Sequence, residues 1–301
     1  MISDHDFIRD EKNQQIFPGF STDFACLCRR AEAEQVVGRV VPWHHHPAIE
    51  INYVVDGSIT LRTADQEFTA QKGDAIFVNS DMLHTTTWDD INGGTVLCLV
   101  FDAIFLSGMY GNVYERKYLR PITECKGLQG FLIHPDCETH MNMSLSLLRI
   151  FSLFQDEPFG YEFEVRSELS RLWCCLFQET EALRHNLGSA SSSSSRMKPM
   201  LEFIHTHYKD KVLLDEIADA GSVSRRECTR CFQRYTNLSP IDYLNFYRVR
   251  MAIHELLQTD NSIADIAADC GFHSSSYFGK IFQREMGCTP GEYRKSRLAQ
   301  K

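Results

Sequence analysis

Three histidines and one glutamate are spaced so that they can act together on a single bound group. His44 and His46 are two residues apart, so in a strand both side chains point to the same face. Glu50 follows four residues after His46, and His84 lies further along the chain. Two imidazoles, a carboxylate and a fourth ligand can hold non-haem iron, manganese or zinc. These groups can also line a pocket for a small molecule, or the histidines can have a purely structural role. A metal site, a small-molecule pocket and a structural role all stay open.

Aromatic residues close to these groups in the sequence can extend such a pocket. Trp43, Tyr53 and Trp88 offer a stacking surface for a sugar ring, although core packing is the commoner role of such side chains. We therefore predict that a small-molecule pocket, if one is present, is formed by His44, His46, Glu50, His84, Trp43, Tyr53 and Trp88. If a divalent metal is bound, its ligands are the three histidines and Glu50; otherwise we expect no cofactor.

The residues around this cluster have the pattern of an antiparallel β fold. Between residues 20 and 104, short β-type runs alternate with turns, as in a sandwich or barrel. The clearest runs are 50–55, 58–62, 75–78 and 94–101. Gly38, His44, His46, Glu50 and Gly57 match the first cupin motif at every spacing, and Gly73 with His84 resembles the second motif. The resemblance implies a cupin domain, a jelly-roll-like barrel, over residues 1–125. The usual Pro, Gly and Asn of the second motif are replaced by Asn79, Asp81 and Trp88.

Residues 126–187 have a helical period. One predicted apolar stripe contains Leu145, Leu147, Leu148, Phe151 and Phe154, and a second contains Leu169, Leu172, Trp173, Leu176 and Phe177. Such helices can cover the β domain or form a dimer interface, and the sequence leaves both open. Residues 188–195, rich in serine, are predicted to be a flexible linker.

The chain after the linker contains an internal repeat. Phe232-Gln-Arg with Pro240 and Tyr243 recurs as Phe282-Gln-Arg with Pro290 and Tyr293, fifty residues later. Each copy reads as a short helix, a tight turn and a second helix, which is the pattern of a helix-turn-helix. We place the two units at about 214–236 and 263–286, joined by a long helix over 241–257. Such a connector would let one chain reach two successive major grooves, about 34 Å apart.

The second helix of each copy is the expected DNA-reading element. The first copy offers five candidates: Arg225, Arg226, Thr229, Arg230 and Arg234. The second copy offers Ser274, Ser275, Ser276 and Lys280, a set better suited to the DNA backbone than to bases. Cys228 and Cys231 have a zinc or redox spacing, but inside a helix without a second pair they are best interpreted as packing residues.

The repeat region resembles the signature of the AraC/XylS transcription regulators over about 100 residues. The matching residues are Tyr243, Leu244, Tyr247, Arg248, Arg250, Ala252, Ile263, Ile266, Ala267, Gly271, Phe272, Tyr277, Phe278, Phe282, Gly287, Thr289, Pro290, Tyr293 and Arg294. The resemblance implies a double helix-turn-helix DNA-binding domain, here residues 196–301, and usually transcription activation through RNA polymerase. Ser222 stands where the first turn would have glycine.

Charge is distributed unequally between the two halves. The whole chain has a net charge of −9, which by itself disfavours a nucleic-acid partner. Residues 196–301, however, contain 16 basic and 13 acidic side chains, a net of +3, whereas residues 1–195 contain 15 and 27, a net of −12. The 11 cysteines, an odd number without a secretory signal, indicate reduced thiols and a cytoplasmic location. No apolar stretch is long enough for a membrane span.

These observations predict a two-domain transcription regulator that is not an enzyme. We expect it to bind double-stranded promoter DNA and to respond to a small-molecule effector, such as a sugar or related metabolite, in the cupin domain. RNA polymerase and a second copy of the chain are further expected partners. The alternatives are a metal-dependent cupin enzyme, a dioxygenase or isomerase, with a DNA-binding tail, and a thiol-based redox regulator.

Overall fold

A computed structural model of the chain describes residues 3–4, 8–9, 15–16, 24–90, 93–109, 111–187, 194–236 and 238–298. The described residues up to Leu187 form one compact unit, and those from Ser194 onward form another. Residues 188–193 of the predicted linker lie outside the described residues, while Ser194 and Ser195 begin a helix.

The first unit is built on two main β-sheets. Its strands are β1 (Ser3–Asp4), β2 (Ile8–Arg9), β3 (Gln15–Ile16), β4 (Cys26–Glu32), β5 (Val40–His44), β6 (Ile49–Asp56), β7 (Ser58–Thr63), β8 (Glu67–Gln71), β9 (Ala75–Val78), β10 (His84–Trp88), β11 (Thr95–Phe101) and β12 (Gly130–Ile133). One sheet has the order β1-β4-β11-β6-β9-β12 and the other β5-β10-β7-β8, with β2 and β3 forming a separate pair. The four predicted runs agree with β6, β7, β9 and β11 to within one residue at each end.

The inner faces of the two sheets share one apolar core. Strand alternation sends Val54 and Ile76 of the first sheet, and Ile59 and Leu61 of the second, into the same buried cluster. The sheets are therefore the two walls of a barrel, and the predicted all-β fold is confirmed.

Two long helices cover the outer face of the six-stranded sheet. The helices of this unit are α1 (Ala103–Ser107), α2 (Arg120–Thr123), α3 (Glu138–Asp156), α4 (Tyr161–Glu179) and α5 (Glu181–Leu187), and a π-helix (Glu115–Leu119) directly precedes α2. Met143 and Leu147 of α3 pack with Leu169 of α4 against Ile51 and Phe77 of the sheet. Covering the β domain is thus an observed role of these helices.

The predicted stripe on α3 needs correction. Leu147, Phe151 and Phe154 are buried, but Leu145 and Leu148 are 61% and 45% exposed. The buried row advances by three or four residues, which fits the 3.6-residue helical turn, and Leu145 and Leu148 fall outside it.

The boundary predicted at residue 126 is also shifted in the structure. Gly130–Ile133 is β12, which pairs with β9 at the edge of the six-stranded sheet, so the long helices begin only at Glu138. An apolar Phe-Leu-Ile run can pair with an open sheet edge as readily as it can begin a helix. Here the edge strand β9 is available, and the run pairs with it as a strand.

The second unit is entirely helical in its described residues. Its helices are α6 (Ser194–His207), α7 (Leu214–Ala220), α8 (Arg225–Thr236), α9 (Pro240–Gln258), α10 (Ile263–Asp269), α11 (Ser275–Met286) and α12 (Pro290–Leu298). Helix α9 begins where the Ser239 hydroxyl accepts the Asp242 N–H at 3.1 Å and Pro240 occupies the first position. It packs against all six other helices, so it is the axis of the unit. No helix in the described ranges of either unit is long and apolar enough to cross a bilayer.

Candidate functional site

The two predicted helix-turn-helix units have the same hydrogen bonds in their turns. In the first, the Val223 N–H donates to the Ala218 carbonyl at 3.0 Å; in the second, Phe272 donates to Ala267 at 2.9 Å. Each bond closes the end of a short helix, α7 or α10, and directs the chain into the next helix. The sequence repeat is therefore a repeat of backbone geometry.

The exposed face of α8 brings together most of the predicted DNA-binding residues. Arg226, Thr229, Arg230 and Arg234 line one open surface, whereas Cys228, Phe232 and Tyr235 face the core. Gln233 belongs to the same surface and was missed by the sequence reading. Its spacing of seven residues from Arg226 could have revealed it, since i and i+7 lie on one helix face.

The basic residues of α8 differ in their ion pairs. The Arg225 guanidinium donates to the Asp215 carboxylate of α7, which raises the pKa of Arg225 and lowers that of Asp215. Arg225 therefore does not line the surface shared by the other candidates. Arg230 pairs with Glu227, with its Nη2 2.7 Å from Oε2, whereas Arg226 makes no ion pair with any residue that the structure describes. Arg226 is the cation most directly available to a phosphate or base.

Helix α11, the predicted second recognition helix, presents short side chains. The Ser274 hydroxyl accepts the Tyr277 N–H at 3.3 Å and so caps the helix. Ser275, Ser276 and Lys280 are exposed, and no atom of the described residues lies within 4 Å of a Cβ placed on Gly279. Short side chains on this face leave room for the close approach that was predicted for the DNA backbone. Tyr277, 47% exposed, lies on the same helix and was not among the predicted residues.

In the barrel, the structure brings the four predicted polar groups into one buried cluster. Their ligand atoms all lie within 4.8 Å of one another: those of His44, His46, Glu50 and His84. Nε2 of His46 is 3.0 Å from Oε2 of Glu50, and Nε2 of His84 is 3.7 Å from the same oxygen. All four residues are at most 6% exposed. His46 is not in a strand, because β5 ends at His44; a short loop, rather than strand alternation, places its ring in the cluster.

Backbone carbonyls fix the orientation of all three imidazoles. The Nδ1 atoms of His44, His46 and His84 lie 2.7, 2.9 and 2.8 Å from the carbonyls of Pro42, Ala48 and Met82. A carbonyl can only accept, so each Nδ1 carries a proton, and the Nε2 atoms of His46 and His84 face Oε2 of Glu50. Metal-binding histidines have this arrangement, in which a hydrogen bond at one nitrogen orients the other.

The same surroundings set the charges of the cluster. Burial and the neighbouring rings of His84 and His46 hold the pKa of His44 well below its ordinary value. Burial alone would raise the pKa of Glu50, but hydrogen bonds with His46 and His84 hold it well below its ordinary value. A neutral imidazole and an ionised carboxylate are the forms that bind metal.

An enclosed cavity adjoins the cluster. It is lined by Arg29, Ala31, Val41, His44, Glu50, Asn52, Thr86, Trp88, Val96 and Cys98. Arg29, 1% exposed, and Asn52, which donates to Oε1 of Glu50 at 2.6 Å, were missed by the sequence reading. No local pattern marks Arg29, because its place depends on the pairing of β4 with β11. Trp88 lines the cavity as predicted, and its Nε1 has no hydrogen-bond partner among the described residues.

Two of the predicted aromatic residues lie elsewhere. Tyr53 is three residues from Glu50 on the same strand, so it points to the opposite face, where its ring packs 5.9 Å from that of Phe151. The prediction that Tyr53 lines the pocket is wrong. Trp43 is buried but does not line the cavity.

The thiol pair of α8 has the properties of packing residues. Burial raises the pKa of Cys228 to about 12 and also raises that of Cys231. Neither thiol is activated as a thiolate, which is the form that attacks disulfides and binds metal.

Comparisons with known proteins cover both units. A family model described as a helix-turn-helix domain matches residues 217–296, and one described as a cupin domain matches residues 32–99. The uncharacterized HTH-type transcriptional regulator YdeC of Bacillus subtilis is 27% identical over 96% of this chain and 98% of its own length. The HTH-type transcriptional activator RhaS of Escherichia fergusonii is 28% identical over 86% of this chain and 89% of its own. Fatty-acid-bound ToxT of Vibrio cholerae gives a TM-score of 0.46 at 15% identity, over 89% of this chain and 94% of that chain.

Proposed function

This chain belongs to the AraC/XylS family of transcription regulators, and we propose that α8 and α11 contact two successive major grooves of promoter DNA. The observation that carries the proposal is the exposed face of α8, where Arg226 forms no ion pair with any described residue. Arginine suits guanine edges and phosphates, and Gln233 suits adenine. Helix α9 has 19 residues and is therefore about 28 Å long. It joins the two helix-turn-helix motifs, and its length is close to the 34 Å that separates successive major grooves.

The test is binding of the full chain to labelled DNA selected from a random pool. We expect a preferred site, and a tenfold or greater loss of affinity, about 1.4 kcal/mol or more, for Arg230→Ala together with Arg226→Ala. Arg62→Ala, an exposed arginine of the barrel unit, is the matched control. Equal affinity of wild-type and double variant for the selected site would contradict the proposal.

The barrel is the sensor in this proposal. The cavity among Glu50, Asn52 and Trp88 has a volume of about 20 Å³, so it must widen to admit an effector. The bound effector changes DNA binding to the extent that its affinity differs between the two states. One relative is named a transcriptional activator. We propose that this chain likewise activates transcription, by contacting RNA polymerase in the cytoplasm. A thermal-shift screen of the full chain against sugars and small acids tests the sensor, because a bound effector raises the melting temperature.

A metal-loaded sensor is the second candidate, and the three oriented Nε2 atoms favour it. Nε2 of His46 and Oε2 of Glu50 lie 3.0 Å apart. Because both are acceptors when unprotonated, either a proton shared between them or a metal ion bound to both must separate their lone pairs. A divalent ion bound by the three histidines and Glu50 would supply a Lewis-acidic anchor for an oxygen of the effector. Zinc, manganese and iron all accept this donor set.

Elemental analysis of protein purified without chelators or a metal column tests this candidate. We expect close to one equivalent of metal in the wild type and its loss in Glu50→Gln. Less than about 0.1 equivalent, with no uptake from added Zn²⁺ or Mn²⁺, would exclude both a metal-loaded sensor and the alternative of a metal-dependent dioxygenase or isomerase.

A second copy of the chain is the proposed partner of the exposed face of α3. Met141, Leu145 and Leu148, at positions i, i+4 and i+7, are 52%, 61% and 45% exposed. One apolar helix face repeated on two copies can pack on itself about a two-fold axis. The two uses of these helices left open by the sequence, cover and dimer interface, then lie on different faces of the same helix.

A further inference from the structure

A groove outside the barrel opens between the π-helix and α4. Its volume is about 470 Å³, and Leu106, Tyr118, Leu119 and Trp173 form its apolar walls. Sites for small organic molecules usually have volumes of about 300–1,000 Å³ and are mostly apolar with a few placed polar groups. The groove therefore has the size and character of such a site, and it shares no lining residue with the barrel cavity.

The walls of this groove are fixed in place. Trp173, 3% exposed, donates its Nε1–H to the carbonyl of Tyr118 at 3.0 Å. The Tyr118 ring in turn packs edge-on against Phe177, with centroids 5.5 Å apart. Tyr118 belongs to the π-helix, a rare element that often occurs at functional sites. A ligand would thus meet a surface that needs little ordering on binding.

The polar groups of the groove favour an anion. Arg166 is exposed and donates to the Leu106 carbonyl at 3.0 Å, but it forms no ion pair with any described residue. Ser170, one helical turn further along α4, adds a hydroxyl, and none of the lining residues is acidic. This is unusual in a half of the chain whose net charge is −12.

We propose that the groove binds a small amphipathic carboxylate at a second ligand site, separate from the barrel. The carboxylate pairs with the Arg166 guanidinium, whose planar fork matches the two oxygens. The apolar body of the ligand lies against Trp173 and Tyr118. A single guanidinium neutralises a single negative charge, so a monocarboxylate is a better match than a phosphate ester.

An exposed thiol in the groove makes the proposal directly testable. Cys174 lines the groove, whereas Cys137, also exposed, lies at the start of α3 and does not. The full chain is treated with iodoacetamide with and without millimolar 4-phenylbutyrate, and alkylation of each cysteine is followed by peptide mass spectrometry. We expect slower alkylation of Cys174 and an unchanged rate at Cys137.

Two comparisons separate carboxylate recognition from general apolar binding. The alcohol 4-phenylbutan-1-ol lacks the negative charge, and Arg166→Gln lacks the cation. With either change, the ligand concentration that gives half-maximal protection of Cys174 should rise at least about tenfold. Arg149→Gln, a surface arginine of α3 paired with Glu164, is the matched control and should protect like the wild type. Failure of 4-phenylbutyrate to protect Cys174, or equal protection by the alcohol or in Arg166→Gln, would overturn the proposal.

Discussion

Ser222 and Gly271 occupy the same position in the two helix-turn-helix turns, and both have positive φ angles, 52° and 81°. The second turn requires glycine for an additional reason, because a Cβ there would overlap the carbonyl oxygen of Tyr208. The first turn accepts a serine at the cost of a left-handed backbone, roughly 1–2 kcal/mol for a residue with a side chain.

This difference predicts opposite effects of two substitutions. Ser222→Gly should stabilise the second unit by about 0.5–1 kcal/mol, because relief of the strained backbone exceeds the added chain entropy. Gly271→Ala should destabilise it by more than about 2 kcal/mol, because it adds a side chain where the backbone of Tyr208 already lies.

Denaturation of the full chain by urea, followed by circular dichroism, measures both effects. All three tryptophans, Trp43, Trp88 and Trp173, belong to the first unit, so their fluorescence serves as an internal control. We expect the urea midpoint measured by circular dichroism to shift and the midpoint measured by tryptophan fluorescence to stay unchanged. Similar stabilities for the two variants would show that the turns are not under the constraint described.

Arg225 and Arg226 should contribute unequally to DNA binding. Arg226 has no ion pair within the described part of the chain, whereas Arg225 must leave Asp215 to reach a phosphate. Arg226→Ala should therefore lower the slope of log affinity against log salt by about 0.9, and Arg225→Ala by clearly less. Fluorescence anisotropy over a series of salt concentrations measures this, and equal slopes for the two variants would contradict the assigned roles.

Arg230 is expected to read a base. Arg230→Ala should cost about 1–3 kcal/mol on the selected site and relax the preference at one base position. Binding to a set of single-base variants of the site measures this. If the variant loses affinity for every sequence equally, Arg230 contacts only phosphate.

A buried carboxylate near the end of β12 predicts a pH dependence of the first unit. Nδ1 of His134 lies 2.6 Å from Oδ1 of Asp74, which is 4% exposed, and this hydrogen bond, with a smaller effect of Asp136, raises the pKa of His134 above 6.5. The stabilisation is therefore complete below pH 6.5 and is lost as pH rises through the folded-state pKa.

His134→Gln should be less stable than the wild type below pH 6.5, with a difference that shrinks at higher pH. Urea denaturation followed by tryptophan fluorescence across this range is the measurement. His185→Gln, on the exposed surface of α5, should behave like the wild type. A difference that does not change with pH would mean that the His134 ring contributes packing and not charge.

The proposed dimer interface predicts a monomeric variant. Leu145→Glu together with Leu148→Glu places two charges on the exposed face of α3 and should shift the sedimentation coefficient of the full chain from dimer to monomer. Met109→Glu, which adds a charge at another exposed apolar residue, is the control. A wild-type chain that is monomeric at micromolar concentration would refute the interface.

Spacing along the chain was enough to predict what depends on local geometry. His44, His46, Glu50 and His84 meet as the resemblance to the cupin motifs implied, although a loop places His46 and the pairing of β10 with β5 places His84. The repeat predicted both helix-turn-helix units and α9. Strand parity could also have excluded Tyr53, since residues three apart in a strand face opposite ways.

Other features depend on contacts between distant segments and could not be predicted. Arg29 lines the cavity because β4 pairs with β11, a register that the sequence does not state. The groove beside Arg166 exists because a π-helix some fifty residues away packs on α4, and no local pattern marks that element.

If α8 and α11 contact two successive major grooves, as proposed, helix α9 also constrains how the promoters recognised by this chain could change. Because it is one unbroken helix that packs on every neighbour, the two reading helices have little freedom to turn relative to each other. Each base pair inserted between their contact segments would rotate one segment by about 34° around the duplex. A substitution in the central base pairs could therefore leave a binding site occupied. A single inserted or deleted base pair there would turn one contact segment away from its helix and abolish recognition.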